Sequence, residues 1–463
     1  MPASATNSLR VAVLADSDTR WKWGALTAKR LAPEDADIRL DGFLLRGRAT
    51  PTARQLQEVG VRADSLREVT GLEFLRAMKE TTEKDTGEDA YDVIVLSLVG
   101  GGVQAMLHGL RRSWAGRAKR PVVVTGYVGV VYEKLADGLL LRHGADLVLA
   151  NSRQDADRFR AVYEGVGADA SSVTEVALPF LGGRPYAGNQ DPSAEQGRRP
   201  YTVVFAVQPS VPDNLRDRTY LLNRLVQHAT LHPDREVLLK LRSKPGEHTT
   251  HIEELPYQKL VQRLPGGAPA NFRLVYGNMG EVLDTTDLLV TISSTAALES
   301  LHRRIPTVVL TDLGIRETLG NHHFVGSGCL ASWDQLDAGY EPAPDPEWVA
   351  RQGVAAGGTS RTESGGGSYA TAFDAARTRV AKLVAAPELP PLAPYYTPVT
   401  APGYLPGILA RHHLGPDGAP LPGAPAADRR AGPVRQIVRR AARGAYRHGV
   451  QRVAPVIRRM GEL

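Results

Sequence analysis

Short apolar runs alternate through most of this chain with stretches in which apolar positions recur at helical spacing. That is the pattern of repeated strand-helix units. In the first half, Leu9 to Ala15, Ile38 to Leu45, Val93 to Val99, Pro121 to Thr125 and Leu147 to Ala150 read as strands. Helical segments fall between them at Trp23 to Leu31, Thr70 to Glu80, Val103 to Trp114 and Ser152 to Tyr163. Strands apolar without alternation belong to parallel sheets covered on both faces. Residues 1–180 therefore read as one Rossmann-like domain, and residues 181–200, rich in Gly, Pro, Arg and Gln, as a linker. A second set runs through Val203 to Val207, Val237 to Leu241, Phe272 to Tyr276, Leu288 to Ile292 and Thr307 to Thr311, and gives a second Rossmann-like domain over residues 201–385.

The expected fold class is α/β, with two doubly wound domains facing a cleft at the carboxyl ends of their strands. Residues 354–368 are rich in Gly, Ser and Thr. Proline is so frequent over residues 386–428 that no compact fold is expected there, although Tyr395 to Leu409 could pack back on the body. In residues 429–463, Val434, Ile437, Val438, Ala441 and Ala445 recur at roughly helical spacing among Arg435, Arg439, Arg440, Arg443 and Arg447. A basic amphipathic helix of this kind can lie on an anionic membrane surface, and Gly444, Gly449 and Pro455 would interrupt it. A cationic partner-binding tail fits the same residues.

Charge sharpens this division. The chain has a net charge of +6, and residues 429–459 hold ten Arg and no acid, so the remainder sums to −4. A mildly acidic body argues against a general nucleic-acid binder. The single cysteine, Cys329, cannot form an internal disulfide, and no Cys/His cluster has zinc spacing. The first ten residues lack a signal-peptide core, and Val11 to Ala15 is too short to span a bilayer. The expected location is cytosolic, peripheral at the inner membrane face if the tail binds lipid.

The most informative segment is Thr291-Ile-Ser-Ser-Thr-Ala-Ala-Leu-Glu299. A buried strand runs into Ser293, Ser294 and Thr295, which are expected to open a helix whose free N–H groups bind phosphate. Glu299 lies four residues after Thr295, on the same helix face, where it could accept hydrogen bonds from a ribose or sugar hydroxyl. A helix cap beside a solvated Glu fits the same letters.

This segment, together with Phe205-Ala-Val-Gln-Pro-Ser210 and Leu239-Lys-Leu-Arg-Ser-Lys-Pro245, resembles the second domain of GT-B glycosyltransferases. The similarity is to bacterial sialyltransferase, polysialyltransferase and capsule Kdo-transferase groups, and to actinobacterial glycosyltransferases of unassigned specificity, over about residues 9–335. The resemblance implies a Gln-Pro turn after the first strand of the second domain, a basic or His-Pro element after a later strand, and a Ser-Ser helix start that binds the nucleotide. On that basis Lys240, Arg242, Ser293 and Ser294 are expected to bind donor phosphate, Gln208 and Glu299 the nucleoside, and Ser210 and Thr295 to complete the donor site. The chain departs from the pattern after Leu241, where Arg242, Ser243 and Lys244 stand in place of His-Pro. Its one His-Pro, His232-Pro233, precedes that strand and reads as a loop. Cations would then compensate the leaving phosphate.

The first domain is expected to hold the acceptor and the base. Asp16-Ser-Asp-Thr-Arg-Trp-Lys-Trp-Gly24 follows its first strand, and Asp18 or Asp16 could deprotonate a hydroxyl while Trp21 stacks on a sugar and Arg20 binds it. A capped helix with packed Trp residues is the alternative. Gly100 to Gly102 would let a ligand approach the backbone, with Gly101 and Tyr127 as further acceptor contacts, and Glu133 is a second base candidate. Asp137-Gly138 faintly matches the acidic-Gly base motif of the resemblance, within an expected helix. Asp312 and Gly320 to Phe324 could line the cleft. The second domain has no Asp-x-Asp at a strand end, so no metal is expected in catalysis, and no cofactor beyond a nucleotide-sugar co-substrate. The leading expectation is an inverting glycosyltransferase passing a sugar to a cell-surface glycan, from a CMP-activated acidic sugar first and a UDP-sugar next. A non-hydrolysing UDP-sugar 2-epimerase and a catalytically silent sugar-nucleotide-binding scaffold are the alternatives.

Overall fold

The computed structural model describes residues 8–33, 37–47, 49–83, 90–130, 135–188, 199–244, 247, 253, 255–354 and 369–424. Glu133 and the basic tail lie outside the described residues. The described residues divide into two compact units, one holding those up to Phe180, Arg351–Gly353 and residues 369–424, the other those of Leu181–Ala350 with Val354.

The first unit is built on seven strands: β1 (Ser8–Ala15), β2 (Asp37–Leu45), β3 (Ser65–Val69), β4 (Val93–Ser97), β5 (Val122–Gly126), β6 (Leu147–Ala150) and β7 (Val173–Glu175). They run in the order β3-β2-β1-β4-β5-β6-β7, every pair parallel. The strands where the apolar pattern is densest, β4, β5 and β6, are buried at every residue. The edge strands β3 and β7 escaped sequence detection. Four of the five residues of β3 are exposed, so it carries no apolar run. Helices Asp18–Leu31, Gly71–Glu83, Gly100–Ser113 and Arg153–Gly165 connect the strands. Ser17 and Ser152 cap two of them, their hydroxyls accepting from the N–H groups of Arg20 and Asp155 at 3.4 and 3.0 Å.

The second unit repeats the plan with β8 (Tyr201–Ala206), β9 (Arg235–Lys240), β10 (Phe272–Val275), β11 (Leu288–Thr291), β12 (Thr307–Leu310) and β13 (Leu330–Ala331), in the order β10-β9-β8-β11-β12-β13. All pairs are parallel. Side chains alternate between the faces: Val203, Phe205, Leu239 and Val290 pack with Tyr257 and Trp333, whereas Val204, Leu238 and Leu289 pack with Ala296 and Ile305. The described parts of the linker belong to this unit. Arg303 Nε donates to Gly182 O at 2.6 Å, and the Tyr186 hydroxyl donates to Asp287 at 3.0 Å. Two Rossmann-like parallel-sheet domains in one chain are the architecture of the GT-B class.

The carboxy-terminal part corrects the sequence expectation. Helix Asp374–Ala385, assigned on sequence to the second domain, belongs to the first unit, where it packs on β5, β7 and helix Asp18–Leu31. The Pro-rich segment follows it as an ordered strap, with Leu389, Leu392, Leu405, Leu409 and Leu414 buried. Proline supplies no N–H but keeps its carbonyl, so the body does the donating. Arg120 donates to Pro390 O at 2.6 Å, and Gln104 Nε2 and His108 Nε2 donate to Tyr396 O at 3.2 and 3.0 Å. At Gly144, with φ of 101°, a Cβ would stand 2.6 Å from the strap backbone at Ala393 and Pro394. Only glycine fits there. High proline content was thus compatible with burial, because apolar residues between the prolines reach the core.

Candidate functional site

In both sheets the strand order reverses beside the first strand of the unit, between β1 and β4 and between β8 and β11. Ligands of doubly wound sheets bind outside the carboxyl ends of the strands at such a reversal.

In the second unit, β8 leads into Gln208 and β11 into Ser293. The Gln208 side-chain carbonyl accepts from the Ser293 N–H at 3.1 Å and lies 3.2 Å from its hydroxyl, joining the two strand ends. An N–H can only bond the oxygen of the amide, so this contact fixes the orientation of Gln208 and leaves Nε2 without a hydrogen-bond partner among the described residues. The backbone of the turn is held from below by Arg218. Its guanidinium donates to Gln208 O at 2.8 Å and Pro209 O at 3.2 Å, pairs with Glu253 at 3.2 Å, bonds Leu255 O and stacks over Tyr257. Sequence reasoning missed Arg218. Its signal was an Arg on an apolar helix face, Leu215–Leu231, where it is 1% exposed. Ser210 lies in the same half-buried turn, ahead of a cis Val211-Pro212 bond.

The hydroxyl-rich turn differs in detail from expectation. The helix runs Ala296–His302, with Thr295 as its N-cap and no side-chain cap bond. Ser294 is not in the helix; its hydroxyl accepts from Ala296 N–H at 3.2 Å. Ser293 is buried and donates to Leu319 O, fastening the loop after β12 to the end of β11. Thr291 takes the Ser294 N–H at 3.2 Å. Glu299 is 9% exposed, so its carboxylate is not a solvated surface group. Lys240 is 8% exposed, and its ammonium donates to Leu241 O at 2.8 Å. The more open cations at this strand end are Arg242, half-buried, and Lys244, exposed and 5.7 Å from the Tyr276 ring centre. Asp312 is structural: it accepts from the Tyr220 hydroxyl at 2.9 Å and from Trp333 N–H.

In the first unit, Asp16 sits at the reversal itself. Its Oδ1 accepts from Arg20 at 2.9 Å and its Oδ2 from Val99 N–H at 3.0 Å, so it ties the end of β1 to the turn after β4. Asp18 opens the helix capped by Ser17, with the Thr19 hydroxyl 3.4 Å away. Two acceptor assignments are corrected, those of Trp21 and Tyr127. Trp21 is 0% exposed, as is Trp23, whose Nε1 donates to Asn151 at 3.2 Å; both are core residues, so Trp21 has no face to offer a sugar. The Tyr127 hydroxyl is enclosed without a partner, and burial pushes its pKa up, while Arg142 stacks 3.9 Å from the ring centre. At Gly101 the close approach comes from the protein itself, since a Cβ there would lie 3.5 Å from Ile408 of the strap. Arg20 keeps its place at the strand end, paired with Asp16.

Two further features of this edge were not foreseen. Arg142, buried, donates to Gly126 O, Gly138 O and Leu98 O at 3.0, 2.7 and 3.3 Å, bracing the ends of β4 and β5. Asp137 receives the hydroxyls of Tyr396 and Tyr404 from the strap at 3.1 and 3.0 Å, which commits it to holding that segment.

Among the described residues one group has metal-ligand composition: His228, His232 and Asp337. His228 bonds Asp337 at 2.6 Å through Nδ1 and meets Arg235 at 3.3 Å through Nε2, and Arg224 holds the other Asp337 oxygen at 3.0 Å. The Arg224 guanidinium already pairs with the acid. The cluster also lies at the amino end of β9, the edge opposite the strand ends just described.

No curated relative matches the sequence. Solved structures similar in fold include a UDP-N-acetylglucosamine 2-epimerase (14% identity, 82% of this chain and 96% of that one, TM-score 0.48). They also include a 2-epimerase of the same description from Listeria monocytogenes (13%, 72% and 86%, 0.47) and the glycotransferase of kitacinnamycin (14%, 82% and 95%, 0.40). The family model described as "Putative glycosyltransferase (DUF6716)" matches residues 11–364, most of the chain and both sheets, and the protein belongs to that family.

Proposed function

We propose that the protein transfers a sugar from a nucleotide-activated donor to a hydroxyl group of a growing cell-surface glycan. The observation that carries this reading is the junction of Gln208 with Ser293 at the reversal of the second sheet. It fixes one amide oxygen and leaves the amide Nε2 without a hydrogen-bond partner among the described residues, a donor able to recognise a nucleoside. Arg242 and Lys244 supply the positive charge for the leaving phosphate, as the basic residues standing in the His-Pro position would require. Lys240 supports the same strand end through its own backbone. Ser210, Ser294 and Thr295 complete the donor site. A CMP-activated acidic sugar comes first and a UDP-sugar next, on the motif resemblance.

The acceptor is assigned to the carboxyl edge of the first sheet, beside Asp16, Arg20 and Asp18. In this reading Asp16 orients Arg20, and Asp18 and Glu133 are the acids available to the acceptor. Residues 429–463 would hold the enzyme against an anionic inner membrane face through Arg435, Arg439, Arg440, Arg443 and Arg447. Catalysis proceeds with inversion and without a metal.

Thermal unfolding with CMP, CDP, UDP and GDP tests the donor site. A nucleotide that binds only the folded state at about a hundred times its Kd adds about 2.7 kcal/mol of stability. Gln208→Ala and Glu299→Ala should each remove about 1–3 kcal/mol of nucleotide binding, the range for hydrogen bonds that include a charged group. No stabilisation by any of the four, or full stabilisation of both variants, contradicts the assignment.

A further inference from the structure

The strap brings a histidine to the carboxyl edge of the first sheet, where two acids, Asp16 and Asp137, are engaged elsewhere. Helix Gly71–Glu83 starts directly after β3, and helix Gly100–Ser113 directly after β4, so Gly71 and Gly101 both mark the carboxyl-end face. Ile408 lies 3.5 Å from the Cβ position of Gly101, and His412 places its own Cβ and Nδ1 3.8 Å from that of Gly71. His412 is half-buried, and its ring makes no hydrogen bond among the described residues. The acids nearby differ. Asp16 has both oxygens taken, by Arg20 and by Val99 N–H, and Asp137 holds two tyrosine hydroxyls.

We propose that His412 is the base that takes the proton of the acceptor hydroxyl. The inference rests on the glycosyl-transfer reading and replaces the carboxylates of the first domain in that one step. The acceptor O–H bond breaks as its proton passes to a ring nitrogen. The oxygen forms a bond to the anomeric carbon, and the bond from that carbon to the donor phosphate breaks, its electron pair leaving with the phosphate. The imidazolium then returns its proton to water. Three charged or titratable groups face the ring: Asp16 from the end of β1, and Arg411 and His413 from the strap itself. Burial dominates and lowers the His412 pKa, with Arg411 and His413 acting in the same direction, so the ring is neutral and able to accept at pH 7. The Asp16 carboxylate acts in the opposite sense and would favour the imidazolium once it forms.

The test compares wild type, His412→Gln and Asp18→Asn, with CMP-N-acetylneuraminate, UDP-N-acetylglucosamine, UDP-glucose and GDP-mannose as donors and a cell-wall glycan extract as acceptor. His412→Gln is expected to slow transfer by about 100-fold to 10,000-fold, the range for a general base, with unchanged thermal stabilisation by free nucleotide. It should also lose the acid limb of the pH profile. Independently of turnover, diethyl pyrocarbonate, which acylates neutral accessible imidazole, should modify His412 at pH 7, read by peptide mass. Transfer by His412→Gln within threefold of wild type, or an unreactive His412 at pH 7, overturns the proposal. So does loss of transfer in Asp18→Asn alone. A wild type that binds nucleotide but transfers no sugar overturns the glycosyl-transfer reading itself, a different result.

Discussion

Replacing Arg218 with Met should unfold the donor-site turn before it unfolds anything else. The guanidinium is 1% exposed, pairs with Glu253 at 3.2 Å and supplies bonds to the carbonyls of Gln208, Pro209 and Leu255. Met retains much of the apolar stem but none of the donors. Glu253 then keeps a buried carboxylate without its guanidinium, and breaking a buried pair from one side costs about 3–5 kcal/mol. In a chain with domains of this size each kcal/mol lowers Tm by about 2–4 °C, so a drop of roughly 6–20 °C is expected. The double variant Arg218→Met, Glu253→Met separates stability from function. Removing both charges takes away the carboxylate that has lost its guanidinium and should recover about half or more of the loss. The carbonyls of Gln208 and Pro209 remain undonated in both variants, so nucleotide binding should stay weakened in the double variant despite its recovered Tm. Thermal and urea unfolding of the three proteins, each with and without saturating nucleotide, measures all of this. A single variant within about 1 kcal/mol of wild type, the size of an ordinary surface effect, would refute the reasoning, as would a double variant no more stable than the single.

Other consequences follow from the same structure. Burial raises the Asp155 pKa to about 6; because the folded state then binds the extra proton, Asp155 costs stability above that pH and the cost fades toward pH 4. Asp155→Asn should therefore raise Tm at pH 8 by about 2–4 °C, roughly 1 kcal/mol, with the difference vanishing near pH 4; an equal gain at both pH values contradicts it. Burial lowers the pKa values of His108 and His228 below the ordinary 6.5. Their contribution is present above that value and lost as pH falls through the folded-state values, so in Asp155→Asn, where the opposing carboxylate is absent, Tm should decline as pH falls below 7, as pH-resolved melting would show. A chain ending at Ala427 should stay folded and bind nucleotide but lose its attachment to anionic vesicles, an attraction of about 1 kcal/mol per Arg near the surface that salt weakens. Equal co-sedimentation of both chains removes the membrane role.

The two-domain plan was legible because buried parallel strands announce themselves as unbroken apolar runs; β1, β4, β8 and β11 could hardly be read otherwise. What escaped had a physical reason. β3 faces solvent on an edge, β7 and β13 are three and two residues long, and the strap hides its leucines among prolines. At the site, the sequence brought out Gln208, Ser293 and Glu299 because they follow strands at recognisable spacing, and the structure joins the first two directly. Trp21 and Tyr127 were assigned to the acceptor from residue type, and only packing shows that they face inward. His412 carries no local signal, and that of Arg218, a cation on an apolar helix face, does not name its partners. Arg218 acts through the backbone of a distant turn, and His412 arrives at the first sheet from a segment hundreds of residues later in the chain.

The central claim is transfer of a sugar from a nucleotide to an acceptor hydroxyl, and the most direct measurement is nucleotide release from a sugar-nucleotide panel with and without a cell-wall glycan acceptor, with the acceptor weighed by mass spectrometry. The account predicts release of CMP or UDP that depends on the acceptor, one sugar mass added to that acceptor, and loss of both in Gln208→Ala. Conversion of the donor to an epimer without any change in the acceptor, or no turnover of any donor by a protein that binds nucleotide, would contradict it.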